Sequence, residues 1–206
     1  MLWPAHGIDS RGVERGKLRV ITILGSPRTE GNTELLLRES IRAIEEEGHS
    51  VTLFRPSQME LSPCLNCGAC EETGECVISD DMDEVYRAIR EGDRFILASP
   101  IFFFGLTAQV KALIDRCQSF WCEKYLLKRP IPAKAFGRKG LLLMVGGMKK
   151  ETGFKCGGAT ATAFFRSISV PEHETLFYPG IDAKGAIREH PTALNEAYEA
   201  AKKLVY

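Results

Sequence analysis

Short apolar runs alternate with helix-spaced segments from residue 18 onward, and this rhythm restricts the fold more than any other feature. "LRVITILG" (18–25), "RFILASP" (94–100) and "GLLLMVGG" (140–147) are nearly unbroken apolar stretches ending in Gly or Pro. Such stretches suit strands buried on both faces. "SVTLFRP" (50–56) and "ETLFYPG" (174–180) complete a set of expected strands. Between them, "NTELLLRESIRAIEEEG" (32–48) carries Leu37, Ile41 and Ile44 at helical spacing, with Asn32 as its expected N-cap and Gly48 as its stop. "DMDEVYRAIREG" (81–92) aligns Met82, Val85 and Ile89, and Asp81 with Glu84 resembles a capping box. "LTAQVKALIDRCQSF" (106–120) aligns Leu106, Val110, Leu113 and Cys117. A further helix is expected over 158–168, and residues 182–206 read as mostly helical.

Strands that alternate with helices imply a parallel sheet, covered on both faces and joined by right-handed crossovers. The expected fold is α/β: a three-layer flavodoxin-like sandwich with a five-stranded parallel sheet of order 2-1-3-4-5. A cysteine-rich loop, residues 62–81, is inserted after strand 2. At 206 residues the whole of 1–206 is expected to form one domain, with residues 1–16 as a polar tail that could serve as an arm on a neighbour.

Charge excludes some partners. Lys+Arg number 27 and Asp+Glu number 27, so no basic excess calls for nucleic acid and no polybasic run calls for a membrane surface. The N-terminus lacks the apolar core of a secretory signal, and no apolar run approaches the ~20 residues of a spanning helix. The expected compartment is the cytoplasm. Seven cysteines under reducing conditions then point to thiol chemistry or metal ligation rather than a disulfide framework.

In parallel sheets of this kind, ligands bind beyond the carboxyl ends of the strands. Three segments fall there. "GSPRTEGNT" (25–33) offers the short donors Ser26, Asn32 and Thr33, the cation Arg28 and a helix N-terminus. It reads equally as a phosphate loop or as a βα turn with a capped helix. "SPIFFFGLTAQ" (99–109) sets Phe102, Phe103 and Phe104 at a strand end, where flat rings suit a flat ligand but also serve as core or subunit contacts. "VGGMKKETG" (145–153) lets backbone amides at Gly146 and Gly147 approach a ligand edge, as a plain turn also would.

Together with "CLNCGACEETGECVISDDM", these segments resemble the flavodoxin-like NAD(P)H-dependent FMN reductases, and most closely the iron–sulfur flavoprotein branch. The resemblance covers residues 18–178. It implies non-covalent FMN, with Ser26, Arg28, Asn32 and Thr33 on the phosphate. Pro100, Ile101, Phe102, Phe103, Phe104 and Gly105 would line the flavin ring, with Gly146 and Gly147 near its polar edge. Many relatives have Tyr where this chain has Phe102, which can stack but cannot donate a hydroxyl hydrogen bond.

Cys64-x2-Cys67-x2-Cys70-x5-Cys76 differs from zinc sites, where two C-x2-C pairs stand a dozen or more residues apart. It resembles the C-x2-C-x2-C run of ferredoxins, without a proline after the fourth cysteine. Gly68 and Gly74 let the loop fold back. Free or redox-active thiols and zinc remain open alternatives; the resemblance points to a 4Fe-4S cluster. Cys117 reads as a buried hydrophobe, and Cys122 and Cys156 as isolated structural residues. His6, His49, His173 and His190 share no ligand spacing, so no catalytic side chain is expected. Glu45 to Glu47 read as a solvated face with no stabilising role at that helix end.

The leading expectation is an electron-transfer oxidoreductase joining FMN, a 4Fe-4S cluster and a redox partner. NAD(P)H or reduced ferredoxin would be the donor, and a small molecule or protein the acceptor. The cysteine loop, leaving the sheet after strand 2, is expected to face the flavin of a partner subunit. A cluster-free NAD(P)H:FMN or quinone reductase is the alternative, and a flavin-free redox or metal sensor the second alternative. The resemblance further implies a homodimer or homotetramer.

Overall fold

The computed structural model describes residues 16–206; the expected tail, Gly16 apart, and His6 lie outside them. Strands β1 (Arg19–Leu24), β2 (Ser50–Phe54), β3 (Arg94–Pro100), β4 (Lys139–Gly146) and β5 (Glu172–Pro179) form one parallel sheet of order β2-β1-β3-β4-β5. This is the flavodoxin-like order expected from the alternation. The helices are α1 (Asn32–Glu46), α2 (Ala69–Thr73), α3 (Met82–Glu91), α4 (Ala108–Arg116), α5 (Gln118–Trp121), α6 (Thr152–Ser167) and α7 (Ala193–Val205). Among the described residues, no helix is long and apolar enough to cross a membrane.

The period of two along each strand divides the core. Ile21, Ile23, Phe95, Leu97, Leu142 and Met144 point to one face, where α3, α4 and α6 supply Val85, Ile89, Val110, Leu113, Phe164 and Phe165. Val20, Leu24, Ile96, Ala98, Leu141, Leu143 and Val145 point to the other, against α1 and α7. Both faces of β1, β3 and β4 are therefore dry, which is why those strands tolerate no polar alternation.

Helix ends depart from the sequence reading in instructive ways. Gly31, not Asn32, caps α1. At the other end Gly48 takes φ 82°, and the N–H groups of Gly48 and His49 donate to the Glu45 and Ile44 carbonyls, a Schellman stop. Glu46 and Glu47 are not idle. Glu46 accepts from Arg42 and the Tyr198 hydroxyl, and Glu47 pairs with Lys202 and accepts from the Tyr206 hydroxyl, fastening α1 to α7. The capping box at α3 does not form. Asp80 accepts from the Met82 N–H instead, and Asp81 turns back to the Glu60 N–H.

Helix α6 begins at Thr152, six residues before its expected start at 158. Gly153, Gly157 and Gly158 lower helix propensity and hide this first turn from sequence reading. Two of the glycines serve packing. A Cβ on Gly153 would lie 2.7 Å from Ile101 Cγ2, and one on Gly157 2.9 Å from Ile101 Cδ1. The C-terminal segment is less helical than expected: a short 3₁₀ turn, Ala186–Glu189, precedes Pro191, and α7 starts only at Ala193.

Gly25 ends β1 beneath α4, where an added Cβ would lie 2.3 Å from Val110 Cγ2. Val110 is fully buried and cannot swing aside. Gly25→Ala should lower the unfolding free energy by about 1–3 kcal/mol, measured by urea denaturation. Adding Val110→Ala should give a double mutant less destabilised than the sum of the single changes.

Candidate functional site

The carboxyl ends of β1, β3 and β4 and the loop after β5 surround one open pocket of about 510 Å³. Ser26, Arg28, Asn32, Thr33, Pro100, Ile101, Phe102, Gly146 and Gly147, all singled out in the sequence, line it. Gly31, Val145, Ile181, Asp182 and Lys184 line it as well. Gly31 and Val145 belong to the first and third strand-end segments, whereas Ile181, Asp182 and Lys184 carry no motif. Lys184 sits in a stretch whose composition reads as helix, so its place at the pocket is legible only in three dimensions.

The first loop is held by its neighbours. The Gly25 N–H donates to the Ala98 carbonyl at 2.7 Å, and Thr107 Oγ1 donates to the Gly25 carbonyl at 2.8 Å. Ser26 Oγ accepts from the Arg28 N–H. Asn32, expected to cap or to meet a phosphate, spends its side chain elsewhere. Its Nδ2 donates to the Ala183 carbonyl at 2.9 Å and its Oδ1 accepts from the Ile187 N–H at 3.2 Å. That pair fastens the loop bearing Lys184 against the first turn of α1. Helix geometry leaves the early N–H groups of α1 without intrahelical partners, so the turn stays a donor site.

Glu34, buried in the same turn, accepts from the Glu30 N–H at 2.6 Å, from Arg55 at 2.7 Å and from Arg38 at 3.1 Å. Burial alone would raise its pKa. The hydrogen bonds from Arg55 and Glu30 and the two guanidinium charges outweigh burial and hold it below the usual 4.5. Sequence reading missed this residue, because a first-turn glutamate ordinarily signals only a favourable dipole.

The aromatic run behaves differently from the flat platform it suggests. Phe102 and Gly105 exchange N–H···O bonds of 2.9 Å, and Phe103 and Phe104 between them take φ 46° and 64°. This is a type I′ turn, which ordinarily uses Asn-Gly. The turn carries Phe103 fully into solvent and leaves Phe104 half exposed. Phe102 alone of the three lines the pocket; Phe103, Phe104 and Gly105 lie outside the lining.

A second pocket gathers Cys64, Cys67, Cys70 and Cys76 with Arg116, Gln118 and Ser119. The loop that carries them bends at Asn66, Gly68 and Gly74, where φ is 51°, 78° and 81°. Within the expected loop Ala69–Thr73 forms the short helix α2, entered and left through the left-handed Gly68 and Gly74. All four thiols are free, and among the described residues no three Cys, His, Asp or Glu side chains stand close enough to hold a metal ion. Cys122, read as isolated, instead places its sulfur 3.6 Å from that of Cys70. Burial and the Cys122 sulfur push the Cys70 thiol up to about 12. Cys117 is buried as expected, and Cys156 is exposed and apart from the other cysteines. His49 and His190 accept backbone hydrogen bonds, and His173 stacks on Phe165.

The profile of the NADPH-dependent FMN reductase family matches residues 18–172, from β1 to the start of β5. The chain belongs to this family. An iron-sulfur flavoprotein of Methanocaldococcus jannaschii is 48% identical over 99 residues, covering 48% of this chain and 51% of that protein. One from Archaeoglobus fulgidus is 41% identical over 99 residues, covering 48% of this chain and 45% of that protein. The aligned stretch thus spans about half the length of these relatives. Among solved structures, an NAD(P)H:quinone oxidoreductase from Methanothermobacter marburgensis superposes with a TM-score of 0.68 at 15% identity, over 93% of this chain and 98% of that one. An FMN-dependent NADH-azoreductase from Bacillus anthracis gives 0.62 at 10% identity, over 93% and 100%. At such identities the likeness is one of fold.

Two outcomes follow for this FMN reductase family member. Glu34→Gln should cost about 2 kcal/mol at pH 7. A carboxylate held below 4.5 stabilises the fold above that pH and ceases to do so as acid protonates it, so the gap between variant and parent should close on acidification. Chemical denaturation at several pH values measures both. Replacing Phe103-Phe104 with Asn-Gly should relieve the left-handed strain and raise stability by about 1–2 kcal/mol, read from the same titrations.

Proposed function

We propose that the protein is an FMN-dependent oxidoreductase whose cysteine quartet holds a 4Fe-4S cluster. Electrons would pass between FMN, the cluster and a redox partner. The observation that carries this reading is the convergence of three strand-end loops on one pocket, with a second pocket lined by all four cysteines. The first pocket joins two cations, Arg28 and Lys184, to the donor end of α1, and joins both to the apolar Pro100, Ile101, Phe102 and Val145. That mixture fits a phosphate on a flat, largely apolar ring. The second is lined by four free thiols of one loop, and the consecutive two-residue gaps between the first three fit a cluster better than a small single ion.

FMN can take up a hydride as two electrons and release them one at a time, and an iron–sulfur cluster carries one electron. The remaining work belongs to the chain. Arg28, Lys184, Ser26, Thr33 and the N–H groups of α1 would bind the phosphate. Asn32 would hold the Lys184 loop in register rather than touch the phosphate with its side chain. Phe102 and Ile101 would bound the ring, and Gly146 and Gly147 would admit its polar edge to backbone donors. No acid, base or nucleophile is required. The proposed donor is NAD(P)H or reduced ferredoxin, the acceptor a small molecule or protein, and the assembly a cytoplasmic homodimer or homotetramer. One observation favours the cluster-free reductase as a second reading: Cys70 lies against Cys122 rather than in a group of three.

Anaerobic purification followed by iron, sulfide and flavin analysis separates the two. Roughly four irons and one FMN per chain support the first reading, and FMN without iron supports the second. A colourless protein that takes up no flavin overturns both. Arg28→Ala and Lys184→Ala should each weaken FMN about tenfold while leaving riboflavin affinity unchanged, measured by flavin fluorescence quenching.

A further inference from the structure

Arg116, the last residue of α4, has a fully buried side chain that lines the cysteine pocket. Its Nη1 donates to the Ser62 carbonyl at 2.8 Å and to Asp80 Oδ2 at 2.7 Å. Its Nη2 donates to the Ile78 carbonyl at 2.9 Å and to Asp80 Oδ1 at 3.1 Å. One guanidinium thus grips both strands of the loop's neck, just before Cys64 and just after Cys76. Asp80 completes the neck by accepting the Ser62 N–H. Asp80 is itself held below its usual 3.8, because the Arg116 and backbone hydrogen bonds outweigh the opposing effect of burial.

One donor is left over. Arg116 Nε is buried and has no hydrogen-bond partner. Leaving a buried N–H of a charged group unpaired forfeits its solvation without return, so a native fold keeps one where something else satisfies it. Arg116 lines the same pocket as Cys64, Cys67, Cys70 and Cys76, so sulfur is the chemistry that surrounds it.

We propose that Arg116 is a positioning residue of the thiol site: it closes the loop's neck, and its Nε–H serves a sulfur of the group held by the four cysteines. This inference rests on the cluster reading above. A donated hydrogen bond and a positive charge favour the more negative, reduced form, so Arg116 raises the reduction potential. Asp80, by its negative charge, opposes it.

The two residues therefore predict opposite shifts, which a purely structural role would not produce. In Arg116→Lys the Nε–H is lost, and the potential should fall enough to shift the reduced-to-oxidised ratio tenfold, 59 mV for one electron. In Asp80→Asn a negative charge is lost and the potential should rise. Both should retain several-fold less iron than the parent after anaerobic desalting, at unchanged FMN per chain, which reports an intact fold. Redox titration of the visible sulfur-to-iron band measures the potentials. Opposed shifts support the proposal, and equal potentials in parent and variants overturn it while the cluster reading stands. A parent with FMN but no iron removes the cluster reading and this inference together. Should Arg116→Lys hold no iron or no FMN, Asp80→Asn decides: a raised potential supports the role, and an unchanged one overturns it.

Discussion

Adjacent parallel strands whose helices leave for opposite faces cannot close over their own carboxyl ends, and the gap between β1 and β3 follows from that constraint. Helix α1 packs with α7 on one side, α4 with α3 and α6 on the other. The gap is then shaped by close backbone approach. Gly25 passes under Val110 with no room for a methyl group, and Thr107 ties the start of α4 to the Gly25 carbonyl. The phosphate-loop candidate is thus a product of sheet packing before it is a ligand site. Its polar residues act on a backbone already fixed.

The architecture was open to reading because burial on both sides leaves a strand no freedom to alternate. Val20, Ile21, Ile96, Leu97, Leu142 and Leu143 had to be apolar whichever way they pointed, and that uniformity marks a central parallel strand. The three strand-end segments could be ranked for the same reason, since the topology determines which loops share an end of the sheet. The polar composition of the first of them singled out Ser26, Arg28 and Thr33, which line the pocket.

What escaped the sequence has a common cause: the deciding contact is remote. Asn32 looks like a cap until Ala183 and Ile187 claim its side chain. Helix α6 hides its first turn behind glycines whose purpose is the approach to Ile101. Phe103 and Phe104 look like a ring platform, yet the hydrogen-bonded pair Phe102–Gly105 forces them into a left-handed turn. Cys122 appears solitary because the loop that carries Cys70 is 52 residues away in the chain. Local propensity is silent in each case, and tertiary geometry overrides it.

One helix links the two candidate sites. Its first turn, through Thr107, meets the loop that begins at Gly25, and its last residue, Arg116, holds the neck of the cysteine loop. Nine residues of α-helix span about 13 Å, and Val110 and Leu113 between the two ends are fully buried. A buried rod of that length has little freedom to bend or slide. The two pockets are therefore built against the two ends of one packed element, with Thr107 at one end and Arg116 at the other. That shared helix ties the cysteine pocket to the sheet's own packing, although its four cysteines lie on a loop whose helix α2 buries no residue.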